Sequence, residues 1–212
     1  MKKQLSYLWP LTRKYNSRFN GQLEVTWSNG RKVLDSSNAN YSYGPLQEVL
    51  DFGLSKVNAN RASPILLLGL GGGSVIPLLR KKYRYYSKIT AVELDPDILE
   101  IAKSEFQVEQ YQPLELVCTD AEAYVASAKG KFGLIIVDLF LDLSVPPQFF
   151  SLEFWQQVEK LLEKHGKVLF NAGINNAHKE HIASLLENNI LKINFERQED
   201  VQRSNTLLLG SS

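Results

Sequence analysis

The stretch Leu66-Leu67-Leu68-Gly69-Leu70-Gly71-Gly72-Gly73-Ser74-Val75 constrains the chain more than any other. It passes from a wholly apolar run through a glycine cluster into a helical pattern. A short apolar run without polar alternation reads as a strand buried on both faces. Glycine in the turn permits positive φ and lets backbone approach a ligand closely. The helix that follows presents unpaired N–H groups at its start. The carboxylate of Glu93 follows Gly73 by 20 residues at the end of the next apolar run. About 20 residues is the spacing at which an acidic side chain reaches a ribose diol in a βαβ unit.

The alternation continues through the chain. Helical spacing covers Pro45–Val57, Ser74–Lys82, Pro96–Glu105, Ala121–Ala128 and Ala177–Glu187. A further helix begins at the capping residue Ser151, carries Phe154, Trp155, Val158, Leu161 and Leu162, and is expected to stop at Gly166. Strands are expected at Ile65–Leu68, Ile89–Val92, Leu114–Cys118, Leu134–Val137 and Lys167–Phe170, then at Ile190–Phe195 and Thr206–Leu209. Strands alternating with helices imply a parallel sheet covered on both faces. Between Phe195 and Thr206 no apolar helical pattern exists. A parallel crossover needs a dozen or more residues, usually helical. The last two strands should therefore be antiparallel, joined by a charged loop, with Thr206–Leu209 inside the sheet. The fold class that follows is α/β, a Rossmann-like class I methyltransferase plan of about seven strands with an antiparallel C-terminal hairpin. Residues 1–44 read as a short β segment preceding a domain of residues 45–212. Ser28-Asn29-Gly30-Arg31 between two alternating runs is its hairpin turn, and Tyr41–Tyr43 is a further short strand.

Composition narrows the function classes. Lys and Arg total 24 and Asp and Glu 23, a formal net charge of +1. That balance argues against a dedicated nucleic-acid binder. Cys118 is the single cysteine, so no internal disulfide is expected, and three histidines leave little for a metal centre. His178 and His181 read as a solvated helix face, Cys118 as strand packing, and Lys81–Tyr86 as a cationic helix end. The longest apolar run is far shorter than the ~20 residues of a membrane span. The N-terminus has neither an apolar signal core nor a small-residue cleavage site. The expectation is a cytoplasmic protein without a membrane partner.

In an open α/β sheet the ligand lies beyond the carboxyl ends of the strands. Asp120 and Asp138 end two further strands and converge with Gly71 and Glu93 on that rim. Asp95 reads as the cap of the helix starting at Pro96.

Together, Gly69-Leu70-Gly71-Gly72-Gly73-Ser74-Val75-Ile76-Pro77, Val92-Glu93-Leu94-Asp95-Pro96, Asp120-Ala121 and Val137-Asp138-Leu139-Phe140 with Val145-Pro146 resemble the spermidine-synthase-like branch of the class I S-adenosylmethionine-dependent transferases. The resemblance implies an enzyme that binds S-adenosylmethionine, or its decarboxylated form. It implies that Gly69, Gly71 and Gly73 approach the tail of the nucleoside and that Glu93 takes the ribose. It places Asp120 and the Ala121 N–H at the adenine, and makes Asp138 the catalytic carboxylate. Tyr43, Gln47, Glu48 and Asp142 fall on its substrate side. The implied partner is a small-molecule acceptor, an amine or other nucleophile, and a homodimer is compatible with it.

Two departures bear on the reaction. An aminopropyltransferase of this branch carries an Asp inside the glycine loop, where this chain has Gly72. After strand four this chain offers Asp138 and Asp142 among Leu, Phe, Val and Pro, whereas a polyamine site needs several carboxylates. Methyl transfer is therefore the expected reaction. Aminopropyl transfer and a non-catalytic nucleoside-binding protein are the alternatives, and an NAD-dependent oxidoreductase is disfavoured by the antiparallel end.

Overall fold

The computed structural model describes residues 2–36, 40–42, 45–141, 143–175 and 177–212. Tyr43 and Asp142 lie outside these residues. A four-stranded antiparallel sheet comes first, β1 (Leu11–Ser17), β2 (Gly21–Ser28), β3 (Arg31–Ser36) and β4 (Asn40–Ser42), after the single turn α1 (Lys2–Leu5). Asn29 and Gly30 both take positive φ, 48° and 74°, and turn β2 into β3 as the Asn-Gly signal predicts.

The alternating part begins with α2 (Pro45–Lys56), β5 (Ile65–Leu68) and α3 (Val75–Pro77), which runs on as a π-helical turn over Leu78–Lys82. Then come β6 (Ile89–Glu93), α4 (Pro96–Ser104), β7 (Leu114–Cys118), α5 (Ala121–Ser127) and β8 (Phe132–Val137). The remainder is α6 (Leu152–Leu161), β9 (Leu162–Ile174), α7 (Lys179–Leu186), β10 (Asn194–Val201) and β11 (Asn205–Ser211). The seven strands lie in the order β10-β11-β9-β8-β5-β6-β7. β5 through β9 pair in parallel, and β11 is antiparallel to both β10 and β9. Thr206–Leu209 is thus inside the sheet, and Leu207 and Leu208 are fully buried.

The two-residue period of a strand splits the core into two layers. Ile65, Leu67, Ile89, Ala91, Leu134, Ile136, Leu169 and Leu207 face one side, with α2, α3 and α4. Leu66, Leu68, Val92, Ile135, Val137, Val168, Phe170 and Leu208 face the other, with α5, α6 and α7. Leu23, Val25 and Leu34 of the small sheet join the first layer. Glu105, after α4, ties the two sheets together: its carboxylate accepts from Tyr15 Oη at 2.6 Å and pairs with Arg13 and Lys32 at 3.0 and 2.7 Å.

The structure corrects four expectations. Helix α6 ends at Leu161, not at Gly166. Leu162 already belongs to β9, and a bulge with His165 at φ 63° separates the pairs Phe132–Leu162 and Leu134–Lys167. The charged stretch after Phe195 is not a loop: Glu196–Val201 forms most of β10. β10 is an edge strand, where only one neighbour is required and charges blunt further pairing. Leu191 and Ile193 instead anchor the connection from α7, at 8% and 5% exposure. Cys118 is exposed because β7 is the opposite edge. His178 is buried, its ring 4.8 Å from that of Phe150 and its Nε2 3.3 Å from Ser144 Oγ; of this pair His181 is the exposed one. Arg80, in the π-helical turn, donates to the carbonyls of Tyr85, Ser87, Tyr111 and Pro113 and so ties the segments that follow.

Candidate active site

A cavity of about 410 Å³ opens at the carboxyl ends of β5 to β9, within the range of small-molecule sites. Gly69, Gly71, Glu93, Asp120, Ala121 and Asp138 all line it. Gly73 and Gln47 do not. A Cβ on Gly73 would meet Val108 Cγ1 at 2.5 Å, so this glycine lets the turn pack on the layer below. Gln47 Nε2 donates to the Ser74 carbonyl at 3.2 Å and so braces the turn from α2.

Gly69 has φ 90°, and a Cβ there would stand 2.1 Å from the Asp138 carbonyl oxygen. Only glycine allows the ends of β5 and β8 to touch in this way. Glu93 sits at the last position of β6. Its Oε2 accepts from Leu70 N at 3.2 Å and Gly71 N at 3.0 Å, and its Oε1 from Asp95 N at 3.1 Å. These loop N–H groups are therefore engaged by the protein's own carboxylate. Burial raises the Glu93 pKa against the pull of the three N–H groups. Asp120 caps α5 by accepting from Ala123 N at 2.9 Å, and Asp95 caps α4 by accepting from Asp97 N at 2.9 Å.

Asp138 follows β8, and its Oδ1 accepts from Asn171 Nδ2 at 2.9 Å. Burial pushes its pKa up to about 6, against the lowering effect of that hydrogen bond. The connection after Asp138 supplies an apolar wall of Leu139, Phe140, Leu143, Pro146 and Phe149. Ile174, Ser204 and Asn205 form the β9–β11 side.

Several cleft residues escape sequence reasoning. Phe19 and Asn20 come from the β1–β2 turn of the small sheet. That turn is pinned to the cleft because Asp95 Oδ2 accepts from Ser17 Oγ and, at 2.7 Å, from Asn20 Nδ2. Nothing in the spacing of residues 17–20 signals this, since Asp95 lies 78 residues after Ser17. Asn205 of the lining and Asn171, buried behind it against Asp138, carry no motif either, though both lie in strands that the apolar pattern locates. Among the described residues no group of three His, Cys, Asp or Glu side chains stands together to hold a metal.

A family model described as the spermine/spermidine synthase domain matches residues 49–199. The chain belongs to the spermine/spermidine synthase family. Among curated members and relatives, it is 32% identical over 142 residues to a probable polyamine aminopropyl transferase of Bifidobacterium longum, covering 61% of this chain and 30% of that protein. It is 33% identical over 119 residues to the human eEF1A lysine and N-terminal methyltransferase, covering 50% of this chain and 17% of that one. The family member described here thus spans less than a third of the length of either relative. In fold it resembles human methyltransferase-like protein 13, solved in complex with SAH, with TM-score 0.62, 24% identity and coverage of 79% and 82% of the two chains. It resembles equally a spermidine synthase solved with the transition-state analogue AdoDATO, with TM-score 0.68, 16% identity and coverage of 94% and 72%. The Rossmann-like methyltransferase plan is common to all of these comparisons.

Proposed function

We propose that this protein is an S-adenosylmethionine-dependent transferase whose nucleoside occupies the β5–β7 half of the cleft and whose acceptor enters over β8, β9 and β11. The observation that carries the reading is the convergence of the Gly69–Gly73 turn, Glu93, Asp120 and Asp138 on one cavity at the sheet's switch point. The cavity falls within the size range of small-molecule sites, and has carboxylates at two strand ends for hydroxyl and amino groups and an apolar wall against which a flat base can lie. When bound, a sulfonium nucleoside supplies an alkyl carbon whose transfer leaves a neutral thioether.

The chain's own residues then have limited tasks. Glu93 holds the ribose hydroxyls while keeping the glycine turn in shape. Asp120 and the Ala121 N–H read the edge of the base. Asp138 takes the proton of the nucleophile as its lone pair forms the new bond to carbon. A base with a pKa of about 6 is ionised at neutral pH and stronger than an ordinary carboxylate, as general-base catalysis favours. Alignment in a water-poor cleft supplies the rest.

Methyl transfer is the preferred reaction. On the acceptor side the described residues offer one carboxylate, Asp138, beside Ile174, Ser204 and Asn205. A diamine or triamine would need more negative charge. Aminopropyl transfer is the second reading, supported by one specific observation: Leu70 N and Gly71 N are already bonded to Glu93, which removes two donors from an anionic tail. Calorimetric titration with S-adenosylmethionine and its decarboxylated form separates the two. The expected result is tighter binding of S-adenosylmethionine. Tenfold tighter binding of the decarboxylated form, with Asp138-dependent conversion of putrescine, would establish the second reading instead.

A further inference from the structure

A row of polar side chains crosses the end of the sheet beside Asp138 and belongs to none of the family motifs. Asn171 lies in β9 and is fully buried. Its Nδ2 donates to Asp138 Oδ1 at 2.9 Å, while its Oδ1 accepts from Asn205 Nδ2 at 3.0 Å and from Gly173 N at 3.4 Å. Asn205 Oδ1 in turn accepts from Ser204 Oγ at 2.8 Å. The orientation of a side-chain amide is assigned from its partners, and here the partners leave one choice. Gly173 N is a backbone donor and cannot exchange roles. A flipped Asn171 would put an NH₂ group against that donor and an oxygen against a carboxylate. Every hydrogen bond in the row therefore points the same way, from Ser204 through Asn205 and Asn171 to the carboxylate. Bonds in such a series polarise one another.

We propose that Asn171 is a positioning residue for the transfer step, locked by Asn205, which fixes the Asp138 carboxylate by one oxygen and leaves the other turned to the acceptor. The inference rests on the transferase reading for its consequence, but the row itself is a property of the free protein. Ser204 and Asn205 also line the acceptor side of the cleft, so an acceptor that touches them touches the row that holds the base. Asn171 opposes the effect of burial on Asp138, so loss of its donor should leave the carboxyl harder to ionise.

Other titratable groups near this carboxyl are few. Glu93 and Asp120 stand at the ends of β6 and β7, and Asp95 at the start of α4. His178 on the approach to α7 lies behind Gly173, whose Cβ position would be 3.5 Å from its ring. Asp200 of β10 is bonded to Asn175 Nδ2 at 2.7 Å. Asp142 follows on the same connection, outside the described residues.

The test is carboxyl ¹³C NMR titration of the free protein, with the Asp138 signal identified by its loss in Asp138→Asn. Asn171→Leu should raise the Asp138 midpoint by about half a unit or more, and Asn205→Ala should move it the same way by less. The acidic limb of the transfer rate should move with the midpoint in both variants, without a matching change in KM for the nucleoside. Midpoints unchanged in folded Asn171→Leu and Asn205→Ala would overturn the proposal. Should Asn171→Leu fail to fold, the half-buried Asn205→Ala decides by itself. Shifted midpoints in a protein that transfers nothing would uphold the row and overturn the transferase reading, so the two failures are distinct.

Discussion

Glu93 is bonded at both carboxylate oxygens, and this makes it a sensitive point for mutation. Replacing it by Ala leaves Leu70 N and Gly71 N without their partner and, on the proposed reading, takes away the acceptor for the ribose. Calorimetry on folded Glu93→Ala should show nucleoside affinity lower by about 1–3 kcal/mol, the range of a lost charge-assisted hydrogen bond; unchanged affinity would exclude the placement. Burial shifts the Asp138 pKa upward, the opposite direction from that of a salt-bridged carboxylate. Because its pKa is raised to about 6, the base form exists above that pH and is lost below it. The transfer rate should therefore rise with pH to a plateau above about 6, and Asp138→Asn should abolish the limb; a limb near pH 4 would assign the base elsewhere. These residues are legible in the sequence because each ends an apolar run, and strand ends are where an α/β sheet binds ligands. Asn171 is not legible, because an asparagine in a strand has no signal until its neighbours are known.

Elements at the C-terminal end of the chain depend on burial more than on propensity. β11 lies between β9 and β10, with Leu207 and Leu208 facing opposite core layers at zero exposure. Leu208→Ala should destabilise the protein by about 2–5 kcal/mol, as large-to-small changes in a closed core do. Denaturant unfolding measures this, and a loss under 1 kcal/mol would mean that the strand is loosely held. The apolar run of β11 announces such a strand from sequence, and the short connection announces its direction. The extent of β10 is hidden, since an edge strand tolerates the charges of Glu196, Arg197 and Glu199 that elsewhere mark a loop.

At the scale of the whole molecule, two carboxylates tie the small sheet to the large one, Asp95 at the cleft and Glu105 behind it. Glu105 is 12% exposed and gathers Lys32, Tyr15 and Arg13. Despite the opposing effect of burial, the hydrogen bonds from Lys32 and Tyr15 and the Lys32 charge hold its pKa at about 2, below the ordinary 4.5. A carboxylate depressed in the folded state contributes stability above its unfolded pKa and loses it as pH falls through the folded one. Thermal stability should thus decline between about pH 4.5 and 2. Glu105→Gln should be less stable at pH 7 and show a shallower acid decline, and equal melting temperatures at pH 7 would refute the role of this junction.

The order of elements, the parallel core, the antiparallel ending and the strand-end carboxylates follow from the sequence alone. They depend on local periodicity and on short connections, both written along the chain. Tertiary structure alone decided what lies far apart in sequence and close in space. It brought the Phe19–Asn20 turn to the cleft through Asp95, turned the glycine-loop N–H groups onto Glu93, and aligned Asn205, Asn171 and Asp138 across three strands. Such contacts depend on register and on which strands become neighbours, and those are set by packing of the whole sheet rather than by any local pattern.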